Sequence, residues 1–335
     1  MATRTNALLA YGVTLLLAAC SPEPEEPQQP AAPPSPPAAP PPAARTEQPA
    51  QIPATITAER GGFIPEGIEY DQANRRFLTG SLAEGTIFEF RTDGSIVPFV
   101  EDPELVSSVG IEVDEPRDRL LVPNSDSSVF QGGGAGQAKL GVYNLTTGER
   151  LAMVDLAAAI EDKPADARHF ANDVTVGTDG TAYVTDTFMN VIYRVTPEYE
   201  ASVLHRFEDL QGPTLNGIVY HDDGFLLVVG GNRVFKVPVD DPSATTEVMV
   251  DEPVPGSDGA VWTSDGRLAI VSNDANNPQV VALTSDDGWA TARRAGVASA
   301  TGQATTVAVV GDDLYVVHPH FADPEPPSIE RVTLN

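Results

Sequence analysis

The 335-residue sequence holds a single cysteine, so no disulfide can form within the chain. Basic residues are scarce: 20 Lys and Arg stand against 48 Asp and Glu, a formal net charge of −28. A surface of that sign repels phosphate backbones, which sets nucleic acid aside as a partner. It draws cations in general, and it serves solubility in a salty habitat equally well. The one apolar run at the N-terminus is too short to cross a bilayer comfortably. No Gly-Xaa-Ser-Xaa-Gly elbow supports a serine route to hydrolysis. The glycines from Gly132 to Gly136 lack the Lys-Ser/Thr of a phosphate-binding loop, and their composition reads as a flexible loop.

Residues 1–19 have the form of a secretory signal: Arg4, an apolar stretch from Leu8 to Leu17, then small residues at the cleavage site. Leu17-Ala18-Ala19-Cys20 resembles the bacterial lipobox, in which the cysteine is lipidated and becomes the mature N-terminus. An ordinary signal with an incidental cysteine is the alternative. Ser21 after Cys20 resembles outer-membrane sorting, if the cell is Gram-negative. The expected location is therefore outside the cytoplasm, with membrane contact through the lipid alone. Residues 20–52 are rich in Pro, Ala, Glu and Gln and lack aromatics, so they can bury nothing and are expected to be a disordered spacer. At roughly 3.1 Å per residue, such a tether reaches about 90 Å.

A unit recurs through residues 53–335, and its first strand is the clearest part. The six copies begin Glu66-Gly-Ile-Glu-Tyr, Val109-Gly-Ile-Glu-Val, Asn172-Asp-Val-Thr-Val, Asn216-Gly-Ile-Val-Tyr, Asp258-Gly-Ala-Val-Trp and Thr305-Thr-Val-Ala-Val. Each is followed by a turn and a second apolar strand, with third and fourth strands behind. Starts are spaced 43, 63, 44, 42 and 47 residues apart, the period of a β-propeller. The long interval contains the glycine-rich loop and a segment, Ala157 to Arg168, of helix-like composition. In the third and fourth strands apolar and polar residues alternate, as in strands with two different faces. Unit six ends after three strands, at Ile329 to Leu334, while Ala54 to Ala58 precedes unit one as an orphan strand. Moving the orphan onto unit six closes the ring. The predicted fold is an all-β, six-bladed propeller of four antiparallel strands per blade, expected to be a monomer.

The innermost strands line the central channel, so the first residue of each unit recurs at one depth. Those residues are Glu66, Val109, Asn172, Asn216, Asp258 and Thr305. Glu66, Asn172, Asn216 and Asp258 offer two carboxylates and two amide oxygens, a set suited to Ca2+ or another divalent cation. No thiol or histidine cluster occupies equivalent positions, which argues against zinc. The same residues would also serve as strand caps binding channel water.

Around these positions the sequence resembles a known superfamily. Pro65-Glu66-Gly67, Phe170-Ala171-Asn172-Asp173-Val174, Leu215-Asn216-Gly217-Ile218 and Ser257-Asp258-Gly259 are similar to metal motifs of the senescence-marker-protein/gluconolactonase/luciferin-regenerating-enzyme superfamily, which includes regucalcin, diisopropylfluorophosphatase and, more distantly, paraoxonases. The resemblance covers residues 54–335. It implies a calcium ion in the tunnel and hydrolysis of lactones or related esters, with phosphotriesters as a second class. Val109 departs from the ligand pattern. Some members use an asparagine from blade two against substrate, which makes Asn124 a candidate. Members with a histidine beside the tunnel direct attention to His318, His320 and His169. Asp258 would act as nucleophile or base, and Glu66 as an alternative proton acceptor. Outside catalysis, the chain would be a surface or periplasmic binding scaffold whose metal only staples the blades.

Overall fold

A computed structural model describes residues 52–321 and 325–335. The signal segment, Cys20 and the tether through residue 51 lie outside the described residues.

Six small sheets follow one another along the chain and close into a ring. Blade one shows the pattern at its simplest, with antiparallel strands Ile68–Asp71, Arg76–Thr79, Ile87–Phe90 and Ile96–Val100 ordered from the channel outward. The last blade is built from both ends of the domain. Thr55–Thr57 pairs antiparallel with Ser328–Val332, matching Ile56 to Ile329. Ring closure by the orphan strand is thus what the structure contains. It covers the outer edge of Ser328–Val332 with a three-residue strand.

Three blades depart from four strands. In blade two the innermost strand is broken into Ser107–Ser108 and Glu112–Asp114. In blade three, Gly136–Gln137 adds a parallel pairing to His169 and Phe170, so the glycine-rich loop ends by docking on the inner strand. In blade five, Met249–Val250 pairs parallel with Thr291 and Ala292. The segment Ala157 to Arg168 is not a helix: its only helical turn is a 3₁₀ turn at Ala157–Ala159. Pro164 cannot donate a backbone hydrogen bond, and Lys163 before it is biased away from the α region.

The core lies between blades. Buried apolar residues gather into six clusters, one at each blade-to-blade contact. Side chains alternate along a strand, so neighbouring residues serve different contacts. Phe77 packs toward blade six and Leu78 toward blade two. Leu226 packs toward blade three and Leu227 toward blade five. The second strand of a blade is therefore apolar on both faces: Phe225–Gly230 is buried throughout. An outer strand such as Ile96–Val100 is buried only at its two ends. A seventh, smaller cluster of Val109, Val129 and Phe170 sits at one mouth of the channel.

Candidate functional site

The six unit-starting positions meet as the repeat requires. Glu66, Val109, Asn172, Asn216, Asp258 and Thr305 all line one cavity of about 510 Å3 at that mouth. Backbone bonds from blade to blade hold them level. Gly67 N donates to Val109 O at 3.1 Å, Gly110 N to Asn172 O at 2.8 Å, and Gly259 N to Thr305 O at 2.8 Å. Thr305 Oγ1 closes the ring by donating to Glu66 O at 2.7 Å. Thr185 Oγ1 donates to Asn216 O at 2.7 Å. The glycine after the lining residue makes this approach possible. A Cβ on Gly67 would lie 2.5 Å from Val109 O, and one on Gly217 2.6 Å from Asp258 O. With the carbonyls tied outward, the side chains are left for the channel.

Asn172, Asn216 and Asp258 are each oriented by a neighbour. Asn172 donates from Nδ2 to Thr187 Oγ1 at 2.9 Å, which leaves its Oδ1 as an acceptor. Asp258 accepts from Asn273 Nδ2 at 2.5 Å and from the Asn216 side chain. The two carboxylates are buried, Glu66 at 8% exposure and Asp258 at 4%. Burial raises both, Asp258 to about 7, with Asn273 and Asn216 opposing the rise. Glu66 is raised well above the usual range by burial, then by the charges of Asp258 and Asp173. Ile64, two residues before Glu66, holds φ at +51°. A β-branched residue rarely adopts that conformation, and here it lines the cavity beside Glu66.

The donor set fits a hard divalent cation. Two buried carboxylates that disfavour each other's ionisation are relieved by a positive charge between them. The amide of Asn172 adds a neutral oxygen of the kind Ca2+ accepts. Among the described residues, no group of three His, Cys, Asp or Glu could hold a metal ion. Any cation here must therefore rely on amide oxygen and water beyond Glu66 and Asp258.

Other sequence candidates lie elsewhere. Asn124 is fully buried, its Oδ1 accepting from Val106 N and Gln137 Nε2 and its Nδ2 donating to Glu104 O. It ties the parts of blade two together and does not line the cavity. His169 is bonded through Nδ1 to Asp186 Oδ2 at 3.1 Å. His318 has both nitrogens engaged, Nδ1 with Gln303 O at 3.1 Å and Nε2 with Glu330 Oε2 at 2.9 Å. His320 stands beside His318, ring centroids 6.4 Å apart. None of the three histidines lines the cavity.

Sequence reasoning missed three features of the site. One is Asn273, the partner of Asp258. Another is the wall formed by Phe130, Phe170 and Phe321. The last is the glycine rule, visible in the sequence because Gly67, Gly110, Gly217 and Gly259 each follow a lining residue. The opposite mouth holds a second cavity of about 520 Å3, lined by Glu69, Glu112 and Asp173. Burial raises Glu69 and Asp173 to about 7 and Glu112 well above its usual range.

With this geometry in place, solved structures supply a comparison. The major allergen Mala s 1 of Malassezia sympodialis superimposes with a TM-score of 0.71 at 19% identity, over 84% of this chain and 97% of that one. A gluconolactonase from Xanthomonas campestris gives 0.57 at 17%, over 84% and 89%. A luciferin-regenerating enzyme gives 0.58 at 14%, over 83% and 94%. This chain shares their propeller fold. Two of the three belong to the superfamily that the sequence motifs resemble. No family model matches the sequence, and no curated protein does.

Proposed function

We propose that the chain is a divalent-cation-dependent hydrolase of lactones or related esters, with Glu66, Asn172, Asn216 and Asp258 as the residues that would hold the cation. The observation that carries this reading is the convergence of those four side chains, from four separate blades, on one cavity. The likeness to a gluconolactonase at the level of fold agrees with it. Calcium bound there would polarise the carbonyl oxygen of the substrate and offset developing negative charge.

Asp258 is the residue best placed to move a proton or attack. Its carboxylate is buried and lines the cavity, and a cation held beside it would keep it ionised against the effect of burial, ready to accept a proton or attack. Asn273 and the Asn216 amide hold it in one orientation. Glu66 supplies the second negative charge.

A non-catalytic reading has one observation in its favour. Glu66 and Asp258 come from blades one and five, so a shared cation would also fasten the ring. Turnover separates the two. The full chain with calcium should open simple δ-lactones, followed as proton release, and chelation should abolish the activity. Stabilisation by calcium without turnover of any lactone, aryl ester or phosphotriester would leave only the structural role.

A further inference from the structure

The cavity has a polar floor and an apolar wall. Above Glu66, Asn172, Asn216 and Asp258 stand Ile64, Leu82, Phe130, Phe170 and Phe321. Phe130 meets Phe170 edge-on at 4.8 Å between ring centroids and packs against Phe188 at 5.1 Å. Yet Phe130 remains 56% exposed and Phe321 43%. They are two of the few large apolar side chains so exposed among the described residues, and both border this one cavity. Leaving such rings in water costs free energy that a ligand recovers by covering them.

The position of Phe130 is built. It lies in the 3₁₀ turn Ser127–Gln131, whose N-cap Asp126 accepts from Ser128 N and whose C-cap Gly132 has φ of +80°. The ring is thus presented by a capped turn and braced on two other phenyl rings, so little ordering remains on binding. The cavity lining contains no Lys or Arg, and its polar groups away from the floor are Ser127 and Gln131.

These features select among substrates. A polyhydroxylated aldonolactone would press several hydroxyl groups against carbon, and each hydroxyl that loses water without a new partner costs about 1–3 kcal/mol. A carboxylated or phosphorylated substrate would find no cationic side chain along the wall, and the cation on the floor would already be balanced by Glu66 and Asp258. Resting on the hydrolase reading above, we propose that the substrate is an uncharged ester or lactone bearing an alkyl or aryl group. Its reacting carbonyl sits at the floor and its apolar group lies against Phe130 and Phe321.

The test compares two lactams, whose amides resist hydrolysis, by calorimetry on the full chain with calcium. One is the δ-lactam analogue of δ-decalactone and the other is D-gluconolactam. The alkyl lactam should bind at least about tenfold tighter, with each added methylene worth up to about fourfold until the wall is covered. Phe130→Ala and Phe321→Ala should each weaken the alkyl lactam several-fold and leave gluconolactam unchanged, and Phe130→Leu should keep most of the affinity. Equal or tighter binding of gluconolactam, no binding of the alkyl lactam, or indifference to both alanine variants at unchanged melting temperature would overturn the proposal. The hydrolase reading fails separately, if the alkyl lactam binds while the matching lactones are never opened. Preferential opening of glucono-δ-lactone would uphold hydrolysis and overturn the apolar preference.

Discussion

Asn273 donates from Nδ2 to Oδ2 of Asp258 at 2.5 Å, joining a loop residue beyond the second strand of blade five to the lining residue of its first. The bond lowers the pKa of a carboxyl that burial drives up. It also fixes which oxygen of Asp258 faces the cavity. Asn273→Ala should therefore leave Asp258 harder to ionise and less well aimed. Calcium affinity measured by calorimetry should fall about tenfold or more, as for other residues that orient a ligand. Unchanged affinity would show that Asp258 is not part of the cation site.

Glu66 and Asp258 oppose each other when no cation is present. Glu66→Gln removes one charge at nearly constant shape. In chelator, the variant should melt a few degrees above the wild type. Its gain in melting temperature on adding calcium should be mostly lost. A full wild-type response to calcium would place the ion elsewhere.

At the opposite mouth, Glu69 is half-buried, and loss of water around it, with the nearby charges of Asp173 and Glu115, pushes its pKa up to about 7. Its folded pKa lies above its unfolded value of about 4.3. The folded state thus holds a proton that the unfolded state releases, and the associated stability is present below about pH 4.3 and lost as pH rises through about 7. Melting temperature should decline across that window, and Glu69→Gln should flatten part of the decline. A parallel profile for the variant would count against this account.

Gly217 lets blade four approach blade five. An alanine there would bring Cβ to 2.6 Å from Asp258 O, and backbone must move to admit it. Gly217→Ala should cost about 1–3 kcal/mol. Because the displaced carbonyl belongs to Asp258, calcium affinity should fall too. Stability lost with affinity intact would mean that the strain is relieved away from the site.

Ile56 is 3% exposed and opposes Ile329 across the seam where the ring closes. Ile56→Ala should destabilise by about 2–4 kcal/mol in denaturant titrations. An effect under about 1 kcal/mol would show that the seam contributes little to stability.

Much of the fold was legible because a propeller repeats. Six aligned first strands put Glu66, Asn172, Asn216 and Asp258 at the same register, and strand alternation then sends them to the same side. The incomplete sixth unit and the orphan strand near Ile56 required one another. Local composition misled at Ala157 to Arg168, where alanines suggest a helix but Pro164 and the docking of nearby Gly136 on His169 leave one turn. The apolar second strands, such as Phe225–Gly230, are enclosed on both faces because a blade in a ring has neighbours on both sides.

By itself, the sequence determined the number of blades, the way the ring closes and the slot that gathers four oxygen-bearing side chains. These follow from period and register, which are local and repeated. Only the tertiary structure decided what surrounds that slot. It gave Asp258 its Asn273 partner, committed His318 to Glu330 and Asn124 to blade two, and placed Phe130 and Phe321 on one rim. Such contacts join loops and strand ends far apart in the chain, and their geometry depends on how neighbouring blades pack.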